Sequence, residues 1–261
     1  MRSLRLAFIG GLLTYRGLFG WLSPWIYIPN LLVRPGIQIL LFVQIGRAAG
    51  IENPQFFVIG NAIQFTAVPC LFGMVMTVAD ERSQKLLGIT MSSPAPRLPL
   101  FLGRALPVAV VGLLVSAFCI AASTVILNFS LPGKAIAPLL LVILVAAASC
   151  TGLGLVNAAI GLRHRAAIVV ANILDLLLLL LSTADIPARA LPHPLRVLSG
   201  YIPLTHAIAA GRQLAAGATL QAVAPEIGRE VAVGAVYFIV GLITLKYLEF
   251  SSRRSGSLET A

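Results

Sequence analysis

The sequence predicts an all-α integral membrane protein, on three observations. Of its 261 residues 58% are hydrophobic and only 11% charged, with a mean hydropathy of +0.95, a balance that makes the bilayer the solvent. Apolar runs of the roughly 20 residues that a membrane helix needs recur along the chain. Lys and Arg are also unevenly shared between the segments that join those runs. The resulting architecture is six transmembrane helices, preceded by an N-terminal interfacial helix. A polar cytoplasmic helix follows the second span, and re-entrant helices on the outer side precede the last.

Residues 1–24 read as the interfacial amphipathic helix. Arg2, Arg5 and Arg16 fall within an arc of about 60° at 100° per residue, while Phe8, Phe19 and Trp21 supply apolar anchorage. The six-span domain covers 25–250. Its first run, 25–46, is interrupted by Pro29, Asn30, Arg34, Pro35 and Gln38, which a span tolerates when neighbouring helices satisfy the freed groups. The next runs are 56–79, 105–127, 136–160, 166–184 and 231–248, with a cytoplasmic tail at 251–261. The outer segment, 185–230, carries Pro187, Pro192, Pro194 and Pro203 yet is too apolar for a solvated loop. It is expected to pack as short re-entrant helices, one over 208–214 ended by Ala215-Ala-Gly-Ala218.

With both termini cytoplasmic, twelve basic residues lie inside and six outside, leaving Arg34 within the first span. The net charge of +10 is then mostly a topological signal with contact to anionic lipid headgroups; no basic-aromatic surface points to nucleic acid. The expected localisation is the plasma membrane. Cys70, Cys119 and Cys150 each fall inside an apolar run and read as small buried hydrophobes, without metal or redox spacing.

Catalytic chemistry finds little support. His164, His193 and His206 are predicted on opposite sides of the membrane, and neither HExxH nor GxSxG occurs. Leu131-Pro-Gly-Lys134 lacks the earlier glycine and the Ser/Thr of a phosphate loop. No enzymatic site, metal or cofactor is expected in this chain. Arg34 and Asp175, by contrast, are ionisable residues inside spans, where charge is expensive and usually paired or facing a cavity. Each lies nine residues into an outward-going run, about 13 Å from the inner face. The matched depth makes them candidates for an ion pair, within one subunit or across a dimer; the other reading has Arg34 snorkelling to the headgroups.

Three stretches carry a resemblance. The polar insert contains Glu81-Arg82, Leu87 and Ser93-Pro94, with Lys85-Leu86 between them and Gly103-Arg104 beyond. The outer segment contains Pro203-Leu-Thr-His-Ala207, followed by Arg212 and Gly217. The approach to the first span reads Tyr15-Arg-Gly-Leu-Phe19 with Trp21, Pro24 and Trp25, then Gly46-Arg47. Over essentially its whole length the chain resembles the ABC-2 type permeases, the membrane subunits of ABC exporters of the daunorubicin and multidrug types. The family's usual Gly-Thr in the insert is replaced here by Lys85-Leu86.

The resemblance implies that the insert, about residues 80–93, is a coupling helix docking on a cytoplasmic ABC ATPase that binds ATP and Mg. Asp80, Glu81, Arg82, Gln84 and Lys85 would give register, and Leu86 and Leu87 an apolar contact. Pro203, Leu204, Thr205, His206 and Arg212 would then be structural or gate-forming groups on the outer side. It also implies a second permease, as a homodimer or a related chain, and an amphipathic drug, natural product or lipid-like substrate. A lipid-linked glycan exporter of the same superfamily and an ion-gradient-driven secondary transporter without an ATPase are the alternatives.

Overall fold

The computed structural model describes residues 24–48, 55–83, 97–127, 131–161 and 166–255, which contain helices and no strand. The helices are α1 (Pro24–Ala48), α2 (Gln55–Gln64), α3 (Ala67–Ser83), α4 (Arg97–Ile126) and α5 (Gly133–Gly161). They continue with α6 (Ala167–Leu181), a 3-10 turn (Ala188–Ala190), α7 (His193–Ser199), α8 (Thr205–Ala215) and α9 (Leu220–Ser255). The interfacial helix expected before residue 24 and the insert from 84 to 96 lie outside the described residues.

Among the described residues four helical stretches are long and apolar enough to cross a membrane: Gln55–Met76, Ala105–Ile126, Gly133–Gly161 and Leu220–Tyr247. The run expected over 166–184 forms the shorter α6, 15 residues long, or about 22 Å. It stops where Thr183 turns to a positive φ of 64°. The run expected over 25–46 forms α1, whose 25 residues include Asn30, Arg34 and Gln38.

Two boundaries depart from the sequence expectation, each for a physical reason. The second run divides into α2 and α3 at Phe65–Thr66, where the Thr66 N–H bonds to the Ile63 carbonyl in a tighter 3.0 Å turn. Pro69, in the first turn of α3, has no N–H to offer the Phe65 carbonyl, and its ring would crowd that carbonyl in a continuous helix. The last helix begins at Leu220 rather than near residue 231. The polar turn holding Glu226, Arg229 and Glu230 stays helical because the outer segment supplies partners for both acids.

The core is built around α5, which packs against α3, α4, α6, α8 and α9. Its buried stripe includes Leu139, Val142, Ile143, Ala146, Ala147 and Cys150. The apolar window of the α2–α3 pair is 83% buried whereas that of α9 is 11% buried, so α2–α3 is inner structure and α9 an outer helix. Between membrane helices, where lipid offers no hydrophobic drive, close backbone approach through small residues supplies much of the packing. At Gly234 a Cβ would stand 2.9 Å from Ser149 Cα, and at Gly152 it would stand 3.0 Å from the Gly234 carbonyl oxygen. A Cβ at Gly154 would collide with the backbone carbonyl of Cys70. The three cysteines are free thiols, all buried.

These contacts predict a graded response. Gly154→Val and Gly234→Val should each destabilise the fold in mild detergent by about 1–3 kcal/mol. Gly228→Ala, where a Cβ meets nothing within 4 Å, should be neutral or stabilise by up to about 1 kcal/mol. Thermal unfolding of the three variants checks this, and equal losses in all three would remove the packing argument.

Candidate functional site

The short helix α8 lies between α2, α5 and α9, with Ala207, Ile208, Ala210, Gly211, Leu214 and Ala215 buried. Helices leave four N–H groups at one end and four carbonyls at the other without internal partners. In so apolar a surrounding those groups need partners from the protein, and neighbouring helices provide some of them: Glu230 of α9 at one end, and at the other Gln55 of α2, whose Nε2 donates to the Ala215 carbonyl at 3.1 Å.

At the N-terminal end the partner is Glu230 of α9. Its carboxylate accepts from the backbone N–H of Leu204 at 2.9 Å and of Ala207 at 3.2 Å, a negative charge at the positive end of the helix dipole. Leu204 is fully buried and adopts the left-handed conformation, φ 78°, a strain of about 1–3 kcal/mol for a residue other than glycine. One turn earlier on α9, Glu226 reaches His206 Nδ1 at 2.8 Å, and accepts from Arg229 at 3.0 Å. The other ring nitrogen of His206 donates to the Gly200 carbonyl at 3.0 Å. Glu226 and Glu230 therefore hold the first turn of α8 by side chain and backbone respectively. Thr205 caps nothing: its hydroxyl is buried and unpartnered.

Near the other end Arg212 spends its guanidinium on three backbone carbonyls. Nε and Nη2 donate to Phe56 at 3.2 and 3.0 Å, Nη1 to Thr183 at 2.8 Å, and Nη2 also to Ala184 at 2.6 Å. The same group lies 3.5 Å over the Phe56 ring, a cation–π contact. Arg212 thus ties α8 to the start of α2 and to the chain just past α6. A side chain at Gly60 would strike the Ala184 carbonyl and the guanidinium, so only glycine allows this approach. Burial pulls the Arg212 pKa down to about 10, with Asp185 opposing, and the group stays cationic. Beyond Arg212 the helix closes with a Schellman arrangement: Gly217 at φ 93°, the Ala218 N–H on the Gln213 carbonyl and the Gly217 N–H on that of Leu214.

Asp185 completes this outer cluster. Its Oδ1 accepts from Asn61 Nδ2 at 2.6 Å, and Asn61 Oδ1 accepts from Gln38 at 3.3 Å. The Ser182 hydroxyl donates to Gln64 at 3.0 Å. Burial raises the Asp185 pKa from 3.8 to about 6, against the Asn61 hydrogen bond and the charge of Arg212.

The sequence-predicted residues fall into three groups. Pro203, Leu204, Thr205, His206 and Arg212 converge on α8 and its N-terminal turn. Arg34 and Asp175 come together within one chain, Arg34 Nη2 standing 3.7 Å from Asp175 Oδ2. Asp80, Glu81 and Arg82 occupy the last turn of α3, while Gln84, Lys85, Leu86 and Leu87 lie outside the described residues. Sequence reasoning missed Glu226, Glu230, Asp185 and Asn61. The available signal was the scarcity of acids, nine in the whole chain, with two of them one helical turn apart before the last apolar run.

A profile for ABC-2 family transporter protein matches residues 51–243, a stretch that includes the whole α8 cluster. The chain belongs to the ABC-2 family. No curated protein matches it. Membership makes it a membrane component of an ABC transporter, of a kind that typically partners with an ATPase subunit.

In this ABC-2 protein the clamp at Glu230 predicts that Glu230→Ala, which strands two buried N–H groups, lowers stability by about 1–3 kcal/mol for each group left unpaired. Glu226→Ala should cost less, because its partners are side chains nearer the surface. Chemical unfolding in detergent ranks the two; the reverse order would overturn the clamp.

The Asp185 geometry predicts a pH dependence. Because its pKa in the fold, about 6, exceeds the ordinary 3.8, the protonated side chain contributes stability that is fully present below about pH 3.8. That contribution is lost as the pH rises through about 6. Asp185→Asn should therefore be more stable than the parent above about pH 6, the gap closing on acidification. Melting temperatures from about pH 4 to about pH 8 check this; a gap that stays constant would show that carboxylate burial is not its source.

Proposed function

We propose that the chain is the transmembrane permease subunit of an ATP-driven ABC exporter. Its cargo would be an amphipathic drug, natural product or lipid-like molecule carried across the cytoplasmic membrane. The observation carrying this reading is the ABC-2 match over residues 51–243, which contains the Pro203–Ala207 segment and nearly the whole of the four candidate spans. In this reading α1 and α6 are also spans, making six, and both termini are cytoplasmic. Two copies pair, and two ATPase subunits dock beneath them.

The chain's own part is mechanical. ATP-driven closure of the ATPases displaces the insert at about residues 80–93, and the paired bundles alternate between inward- and outward-facing states. Support for this route comes from α3, which runs unbroken from Ala67 to Ser83 and packs along α5. A displacement at its polar end reaches the central helix through that packing. The Phe65–Thr66 break separates the moving helix from α2, which Arg212 and Asn61 fix to the outer cluster.

Glu81→Lys and Leu87→Asp test the coupling role. Reconstituted with the partner ATPase, each should leave membrane insertion intact and reduce stimulated ATP hydrolysis by about fivefold or more, the equivalent of about 1 kcal/mol of docking energy. Transport by this chain alone, without any ATPase, would overturn the exporter reading.

A further inference from the structure

Both ring nitrogens of His206 meet an acceptor. Nδ1 stands 2.8 Å from a Glu226 carboxylate oxygen, and Nε2 stands 3.0 Å from the Gly200 carbonyl oxygen. A neutral imidazole carries one N–H and can serve only one of them. Glu226 does not supply the second hydrogen, because its other oxygen accepts from Arg229 at 3.0 Å, an arrangement that favours the ionised carboxylate. The two contacts are satisfied together only by the imidazolium, with a hydrogen on each nitrogen.

The charged groups facing the ring come from α9. They are Glu226, Arg229 and Glu230, the last accepting from the Leu204 and Ala207 amides on either side of His206. Of the other helices packed on α8, α2 carries no charged residue and α5 only Lys134, in its first turn. Arg212 and Asp185 belong to the cluster toward the other end of α8. The side chains of His206 and Glu226 are 16% and 21% exposed, enough to exchange a proton with water.

The ring holds one end of a self-braced segment. Arg196 of α7 donates to the carbonyls of Ala188 at 3.0 Å, Arg189 at 3.1 Å and Leu191 at 3.2 Å, joining the 3-10 turn and α7 into one unit. Gly200 caps α7, and its carbonyl is tied through His206 to α8 and through Glu226 to α9. When the ring loses a proton, the remaining hydrogen stays on Nδ1, opposite the charged acceptor, because charge-assisted hydrogen bonds are the stronger. Nε2 then turns a lone pair toward the Gly200 carbonyl, acceptor against acceptor.

We propose that His206 is a proton-operated latch, which fastens the segment 188–204 to α8 and α9 in acid and loosens it as the pH rises. The range is that in which histidine changes charge, about pH 5 to about pH 8. The inference goes beyond the exporter reading and does not depend on it, since every contact in it lies within one chain.

The test is peptide-resolved amide hydrogen exchange of the purified full chain in phosphatidylcholine nanodiscs. Protection is measured at intervals from about pH 5.5 to about pH 8, each rate divided by that of the unfolded peptide at the same pH. Asp185→Asn serves as the background, so that Asp185 does not titrate. Peptides over 197–204 should be about tenfold better protected at the acid end, and those over α5 should not change. His206→Gln should abolish the difference. Glu226→Gln, which takes the charge from one acceptor, should move the change to lower pH, and this arm stands even where His206→Gln fails to fold. His193→Gln, at the exposed histidine of the same segment, should leave the difference in place. Protonation of Glu226 or Glu230 would loosen the segment in acid, so better protection at the alkaline end marks a carboxylate and overturns the latch. Equal protection throughout, a difference that survives His206→Gln or is lost in His193→Gln, or an unmoved change in Glu226→Gln would overturn it as well. Each of those results leaves the exporter reading standing, whereas transport without an ATPase sinks that reading and leaves the latch.

Discussion

A helix of eleven residues inside a membrane protein poses a problem that a spanning helix does not. At about 16 Å, α8 cannot carry both its ends into water, and each unpaired N–H or carbonyl in hydrocarbon costs several kcal/mol. The solution sets much of the outer half of the molecule. Glu230 must be brought to the N-terminal turn, so α9 has to be helical there and packed against α8. Gln55 must reach the Ala215 carbonyl at the other end, and Arg212 ties α8 to α2 and to the chain past α6, which runs close over Gly60. The left-handed Leu204 and the early start of α9 accompany the Glu230 contact that holds the start of this short helix.

The same demand explains the contrast between buried and exposed surfaces. The helix α9 shows most of its surface outward, yet Glu230 on it is fully buried. A carboxylate placed there without partners would unfold the region or lose its charge. With two backbone donors at a helix start it becomes the anchor that keeps an otherwise outward-facing helix in fixed rotation. Below that anchor the α5–α9 contact is made by Gly152, Gly234 and Gly241, where small residues rather than charges set the distance.

The spans, the outer segment and the α8 cluster differ in how far the sequence exposed them. Spans over 105–127 and 136–160 were legible because hydropathy integrates over many residues and no charge interrupts them. The division at Phe65–Thr66 was less so: Pro69 was visible, but a proline inside an apolar run is equally compatible with a kink, a break or no change. The early start of α9 was hidden because Glu226, Arg229 and Glu230 look like a solvated approach until His206 and the Leu204 amide are known to face them. Arg212 could be named from its motif, but its role could not. An arginine satisfied by three backbone carbonyls has no side-chain partner in the sequence to betray it. Arg34 and Asp175 were the opposite case, two isolated charges at equal depth, which simple rise per residue brings to one level.

The two polar assemblies differ in what they permit. In the α8 cluster Arg212 and Glu230 are held by backbone groups and Asn61 by Asp185, whose Oδ2 is buried without a partner, so taking away one of these groups leaves others buried and unpaired. Between α1 and α6 the ion pair of Arg34 and Asp175 is longer than a hydrogen bond, its guanidinium half exposed, and α1 packs mainly on α2 and α4. Asp175 is mostly buried, so Arg34 is the charge that compensates it. The two assemblies thus rest on different contacts: the first on backbone carbonyls gripped by an arginine, the second on a carboxylate that an arginine only approaches.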